Sequence, residues 1–271
     1  MEAYKKFLWE EERSKATIDK YMRDLNGFYE FLGKEKYIRK ERLICYKAYL
    51  IDKYKSSSVN SMIASINNLL RWMGLEQLRV KGVRVQKNTF CSEDRELKMQ
   101  EYHRLIQAAK RRKNRRLELI LQTICGTGIR VSELTFITKE ALQHNYAEVS
   151  SKGKQRKVFI TDKLRKYLLV YCREKGITSG PIFITRTGRP VSRTNIWMEM
   201  KKLCADAQVE PGKVFPHNLR HLFARTYYKQ KQDIVYLADI LGHSSIETTR
   251  IYTICSGNEQ EEIIRKLKLV I

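Results

Sequence analysis

Acidic residues are scarce in this chain: 30 Asp and Glu stand against 53 Lys and Arg over 271 residues, a formal charge of +23. Long apolar runs are missing as well. None reaches the roughly 18 residues needed to cross a bilayer, and the amino terminus has no apolar secretory core. These absences argue against a helical membrane protein and a secreted one, so a soluble, cytoplasmic protein with no membrane partner is expected. The six cysteines, Cys45, Cys91, Cys125, Cys172, Cys204 and Cys255, form no CxxC pair. That argues against a disulfide framework or a thiolate zinc site, and for reduced thiols. Internal repeats and low-complexity tracts are absent too.

What is abundant is positive charge. So large an imbalance repels itself unless a polyanion neutralises it, and nucleic acid is a stronger candidate for that partner than an anionic membrane surface. Residues 1–90 hold 19 basic and 11 acidic side chains, and residues 91–271 hold 34 and 19. Both parts are basic, which fits DNA gripped from two sides.

Apolar periodicity predicts helices in the first part. Ser14 is placed as an N-cap before Ile18, Tyr21, Met22, Leu25, Phe28, Tyr29 and Leu32, with Gly33 as the stop. A second helix is expected over 43–54 and a third from Ser56 to Gly74. The basic, aperiodic stretch after Leu78 marks a boundary: a helical domain over 1–78, a linker over 79–95 and a second domain over 96–271. In that second domain, helices are expected over 98–110, 117–125 (ending at Gly126), 164–175, 192–207, 217–229, 234–241 and 246–252. Two strands, 146–150 and 157–160, flank a Lys152-Gly153 turn. The fold class is therefore mainly α, with a small antiparallel sheet in the second domain. The cluster Lys110-Arg111-Arg112-Lys113 with Arg115-Arg116 reads either as a solvated helix end or as a backbone-phosphate contact.

Several scattered segments carry chemistry. Arg130 follows Gly126-Thr127-Gly128-Ile129 and is expected to begin a helix, where backbone N–H groups favour an anion and a guanidinium adds a bidentate fork. Glu133, one turn on, would orient a basic partner. His217 and Arg220 lie three apart after Pro216 and so share a helix face. His221, four from His217, has metal-ligand spacing. With no acidic base between the two histidines and no further ligand nearby, no metal is expected, and His221 is read as a buried, hydrogen-bonded core residue. His243 follows a helix-ending Leu241-Gly242. Tyr252 closes a short polar segment nine residues later, beside Arg250. Two arginines, histidines and a phenol suit the holding of a phosphate under attack by an oxygen nucleophile.

Together these segments resemble the tyrosine recombinase, or phage integrase, family. The matching pieces are Thr127-Gly128-Ile129-Arg130-Val131-Ser132-Glu133-Leu134, the Lys152-Gly153 hairpin, His217-Asn218-Leu219-Arg220-His221, and Leu241-Gly242-His243 through Tyr252, in the family's order. The amino-terminal helices resemble its SAM-like core-binding domain less specifically. The resemblance implies Tyr252 as nucleophile, attacking the scissile phosphate to give a 3′-phosphotyrosine and a free 5′-hydroxyl. It implies Arg130 and Arg220 on the non-bridging oxygens, Lys152 as the acid for the leaving 5′-oxygen, His217 in proton transfer at the tyrosine, and His243 on the phosphate. Lys154 and Lys157 lie close enough to Lys152 to compete for the acid role. No cofactor or metal is implied, because the arginines supply the positive charge.

The function implied is site-specific recombination through a Holliday junction, for a mobile element or for resolving chromosome or plasmid dimers. A type IB topoisomerase-like enzyme and a catalytically silent DNA-binding relative are the alternatives. Partners would be duplex DNA sites and further copies of the chain in a tetramer, with a related recombinase or accessory factor as another candidate. The amphipathic tail over 256–271 would either fold back on its own domain or dock on a neighbouring subunit. The layout resembles the compact enzymes of this family, without a separate arm-binding domain.

Overall fold

Ser14 opens one of the two 17-residue helices of the first unit by accepting a hydrogen bond from the Thr17 N–H at 3.3 Å. In this computed structural model, which describes residues 1–34, 36–84, 96–151, 154–252 and 265, the chain divides into two units, Met1–Asn88 and Thr89–Ile271.

The first unit contains α1 (Glu2–Glu10), α2 (Lys15–Phe31), α3 (Lys40–Lys53) and α4 (Ser56–Trp72). Each buries one stripe. Tyr4 and Leu8, Leu25 and Phe28, Leu43 and Tyr46, and Ile63 and Ile66 meet in one core, as spacings of three and four place them on single faces. The separate short helix α1 is distinguished from α2 by a turn at residues 11–12, where Glu12 takes a left-handed φ of 54°. Residues 79–84, expected to start the linker, are instead pinned to α4. Asn67 pairs with both the N–H and the C=O of Val80, and Asn60 does the same for Val83. An asparagine side chain carries a donor and an acceptor, so it substitutes for a strand partner. The remainder of that stretch, 85–95, lies outside the described residues.

The second unit is built around α6 (Arg115–Thr127), which buries Leu117, Leu119, Ile120, Leu121 and Ile124. A helix apolar on so much of its circumference belongs inside. Around it stand α5 (Met99–Arg111), α7 (Asp162–Lys175), α8 (Arg193–Ala207) and α9 (Pro216–Lys231), with α10 (Ile234–Leu241) and α11 (Ile246–Arg250) following α9. Strands β1 (Tyr146–Ser151) and β2 (Lys154–Phe159) pair antiparallel in the register Val149↔Arg156. Ala147, Val149 and Val158 face the core. The architecture is thus mainly helical with one small antiparallel sheet, as the sequence implies.

One local expectation needs correction. Helix α6 does not stop at Gly126 but runs to Thr127, whose hydroxyl bonds back to the Thr123 carbonyl at 2.6 Å; the left-handed cap is Gly128, with φ 66°. The arginines of the 110–116 cluster are paired within the unit, with Arg111 and Arg112 still exposed, as a solvated helix end would be, and Arg115 and Arg116 partly buried. Arg111 and Arg112 reach Asp206, Arg115 binds Glu118, and Arg116 binds Glu199 and the Ile184 carbonyl. They tie α5 and α6 to α8 and to the loop before it.

Candidate active site

Three helix ends converge on one basic centre. The first is the end of α6, where a Cβ on Gly128 would stand 2.4 Å from the Phe223 ring and 3.1 Å from Leu241, so a residue without a side chain lets α6, α9 and α10 close together. The second is the start of α9, which Pro216 opens. The third is the end of α10, capped by Gly242 in the left-handed conformation.

Arg220 sits where they meet, 1% exposed. Its Nη1 donates to the Gly128 carbonyl at 2.5 Å and its Nη2 to the Leu241 carbonyl at 2.7 Å, so one guanidinium takes up the C-terminal carbonyls of two helices. Nη2 also lies 3.0 Å from His243 Nε2. Its Nε has no hydrogen-bond partner among the described residues, which leaves a buried donor suited to an anionic oxygen. Burial and then Arg130 push the Arg220 pKa down to about 10, against the opposing contact of the Tyr252 phenol. It remains a cation at neutral pH.

Arg130 begins a helix, as expected, and that helix is of the 3₁₀ type, Val131–Phe136, with Arg130 as its cap. Its own N–H donates to Glu133 Oε2 at 3.0 Å, Nη1 to Glu133 Oε1 at 2.9 Å, and Nη2 to the Gly242 carbonyl at 3.1 Å. The backbone donor offered to an anion is therefore already occupied by Glu133, and the guanidinium is what this position contributes. Glu133 serves two arginines, since Arg156 binds the same carboxylate at 3.1 and 2.6 Å. Burial raises the Glu133 pKa, but the bonds from Arg156 and Arg130 overcome it and hold the carboxyl at about 2.

The His243 ring is fixed at both nitrogens, with Nδ1 2.8 Å from Thr249 Oγ1. A guanidinium only donates, so Nε2 accepts from Arg220 and the proton resides on Nδ1. Burial and then Arg220 lower the His243 pKa to about 4, in keeping with a neutral ring. His217 is exposed on α9, and burial of part of its ring followed by Arg220 lowers its pKa as well.

Tyr252 is 3% exposed and packs with Ala224, Leu237 and Leu241. Its ring is stacked 5.9 Å from His243 and meets His221 edge-on at 4.7 Å, while His221 in turn meets His217 at 4.5 Å. Contrary to the core reading, His221 is half-buried at this centre, and burial and then His217 lower its pKa to about 4.

The structure thus brings Arg130, His217, Arg220, His243 and Tyr252 to one centre, and adds His221, Thr249 and Arg156. Lys152 lies outside the described residues, between β1 and β2. Arg156 did leave a signal: strand alternation puts it on the same face as buried Val158, and an inward charge needs a buried partner.

Two family models match the chain. One described as the phage integrase family matches residues 95–258, and one described as phage integrase, N-terminal SAM-like domain matches residues 1–77. Tyrosine recombinase XerD of Staphylococcus saprophyticus is 29% identical over 289 aligned positions, which cover 98% of this chain and 96% of that protein. Among solved structures, the Tn1549 transposon integrase in complex with transposon right-end DNA superposes with a TM-score of 0.73 at 16% identity, covering 98% of each chain. A lambda integrase tetramer bound to a Holliday junction gives 0.72 at 21%, covering 93% of this chain and 75% of the other. At such identities these two likenesses speak for the fold.

Proposed function

This chain belongs to the phage integrase family, the tyrosine recombinases, and on that premise we propose that it is a site-specific DNA recombinase with Tyr252 as its nucleophile. The observation that carries the reading is the placing of Tyr252 against the buried cation Arg220, with Arg130 and His243 at the same centre.

The Tyr252 phenolic oxygen attacks the scissile phosphorus, and the bond from phosphorus to the 5′-oxygen breaks. A 3′-phosphotyrosine and a free 5′-hydroxyl result. The phenolic proton leaves through the His217 side of the centre, where His221 and His217 follow Tyr252 in ring contact. Lys152 supplies the proton to the 5′-oxygen. Arg130 and Arg220 oppose the charge that builds on the non-bridging oxygens, a role that fixed donors in a water-poor site perform without reorganising. His243 enters as the acceptor of Arg220. To donate to a phosphate oxygen its proton must move from Nδ1 to Nε2, with Thr249 Oγ1 turning from acceptor to donor. Because the phosphotyrosine ester keeps the energy of the broken bond, a 5′-hydroxyl from a second duplex reverses the step on a new strand. Two such exchanges pass through a Holliday junction.

The partners are duplex DNA and further copies of the chain, four to a junction. The solved lambda integrase tetramer on a Holliday junction and the transposon integrase on its end DNA support this assembly. No helix among the described residues is long and apolar enough to cross a membrane, in keeping with action in the cytoplasm. The tail over 256–271 lies outside the described residues apart from residue 265, and its amphipathic sequence supports a role in coupling neighbouring copies. Two labelled duplexes bearing the site, selected by binding from a random pool, should give recombinant joints with the full chain. Deleting residues 258–271 should cost joint formation more than DNA binding. Supercoil relaxation with no joints would instead favour the topoisomerase-like alternative, and an unaffected deletion would remove the tail from the account.

A further inference from the structure

Arg156 lies on the second strand of the Lys152-Gly153 hairpin and is given no role by the resemblance, yet the centre is built on it. It lies on β2, opposite Val149, with its side chain 12% exposed. Both of its terminal nitrogens grip Glu133, at 3.1 and 2.6 Å, and Glu133 in turn holds the Arg130 side chain and backbone N–H. The shaft of Arg156 lies against the loop that carries His243, for a Cβ on Gly242 would meet Arg156 Cδ at 2.6 Å and Nε at 3.0 Å. The Gly242 carbonyl is also the second anchor of Arg130. Arg156 therefore touches both supports of Arg130 at once, the carboxylate and the loop.

The electrostatics require this. Glu133 is 3% exposed and would satisfy its charge with either arginine. With Arg130 alone it would offer both oxygens to one fork. A bidentate carboxylate–guanidinium pair is strong and self-contained, and would turn Arg130 away from any other anion. Arg156 occupies both carboxylate oxygens from the far side, leaving Arg130 with one side-chain bond to Oε1 and one to a carbonyl. Of the two arginines, Arg130 is the more exposed, at 34% against 12%.

We propose that Arg156 is a positioning residue for the cleavage step, which holds Glu133 so that Arg130 stays turned toward the scissile phosphate. The proposal rests on the recombinase reading above. It makes Arg156 important to the rate of phosphodiester cleavage rather than to the binding of DNA.

The test measures single-turnover cleavage of a nicked duplex at saturating protein, with DNA affinity and Tm measured on the same proteins. Variants are Arg156→Gln, Glu133→Gln and the double. Arg156→Gln should slow cleavage by roughly 10–100-fold, the loss typical when an orienting partner is removed, while the Kd for DNA changes less than threefold. Glu133→Gln should behave alike. The double variant should be no slower than the slower single, because both changes remove one connection. Arg156→Lys keeps the charge and loses the fork, so it should lie between wild type and Arg156→Gln. It carries the comparison should Arg156→Gln fail to fold. Cleavage within threefold of wild type, losses that multiply in the double, or a loss confined to Kd would each overturn the proposal. A wild-type chain that forms no covalent adduct would instead overturn the recombinase reading itself.

Discussion

The His221 ring stands edge-on to Tyr252, with 4.7 Å between centroids and 82° between planes. In an edge-to-face pair the positive rim of one ring meets the negative face of the other, and the contact fixes where the phenol points. His221 thereby links the motif on α9 to the nucleophile.

Protonating this cluster should weaken the fold. His221 and His243 titrate at about 4 in the folded chain, below the ordinary 6.5, as burial and neighbouring cationic or histidine groups disfavour a second charge. A depressed pKa means that the unfolded chain binds the proton first. The stability these rings contribute is whole above about pH 6.5 and is lost as pH falls through about 4. Glu133, held at about 2, contributes above its ordinary 4.5 and loses that only at lower pH. Thermal melts from pH 7 to 4.5 should therefore show a falling Tm, and His221→Gln should flatten part of the slope. A wild-type Tm that is level over that range would contradict the assignment.

Gly128→Ala should cost stability and cleavage together. The added methyl meets the Phe223 ring in a backbone with φ 66°, and it disturbs the carbonyl that receives Arg220 Nη1. Strain from a left-handed alanine and from overpacking sums to about 3 kcal/mol. Denaturant melts should show that loss, and cleavage at a temperature where the variant is folded should still be slow. Gly126→Ala, which meets only Leu164 at 3.8 Å inside α6, is the control and should be neutral or slightly stabilising.

The acid assignment of Lys152 can be tested by changing the leaving group. A duplex with sulfur at the bridging 5′-position departs as a thiolate, whose conjugate acid has a pKa near 8.5 in model thiols and needs no proton donor. Lys152→Ala should be slow on ordinary DNA and close to wild type on the sulfur-bridged duplex. The same rescue in Lys154→Ala, with none in Lys152→Ala, would move the role to Lys154.

Much of this was legible in the sequence, for identifiable reasons. Ser14, Leu25, Phe28 and Gly33 report a helix through local spacing, and local spacing survives in a linear reading. Pro216 likewise announces the helix that places His217 and Arg220 on one face. The rest depends on contacts distant in sequence. Asp206 neutralises Arg112 across α5 and α8, so a cluster that reads as free charge is consumed internally. Glu133 binds Arg156, 23 residues away, only because β1 packs on the 3₁₀ helix and β2 returns beside β1. Thr249 reads as one of several polar residues in a short helix, and its burial and its bond to His243 need α10 and α11 folded together. The segments that carry the resemblance hold Arg130, His217, Arg220, His243 and Tyr252, and Glu133 beside Arg130, while Arg156 and Thr249 required the fold.

The central claim, that Tyr252 makes the covalent bond to DNA, is tested most directly on a nicked duplex bearing the selected site. The nick lets the short 5′-hydroxyl fragment diffuse away, so cleavage cannot reverse. Wild-type protein should accumulate as a denaturation-resistant adduct on the fragment whose 3′ end carries the scissile phosphate, with the modified peptide containing Tyr252. Tyr252→Phe should bind the duplex with unchanged affinity and give no adduct. An adduct formed by Tyr252→Phe, or one mapped to another residue, would contradict the account.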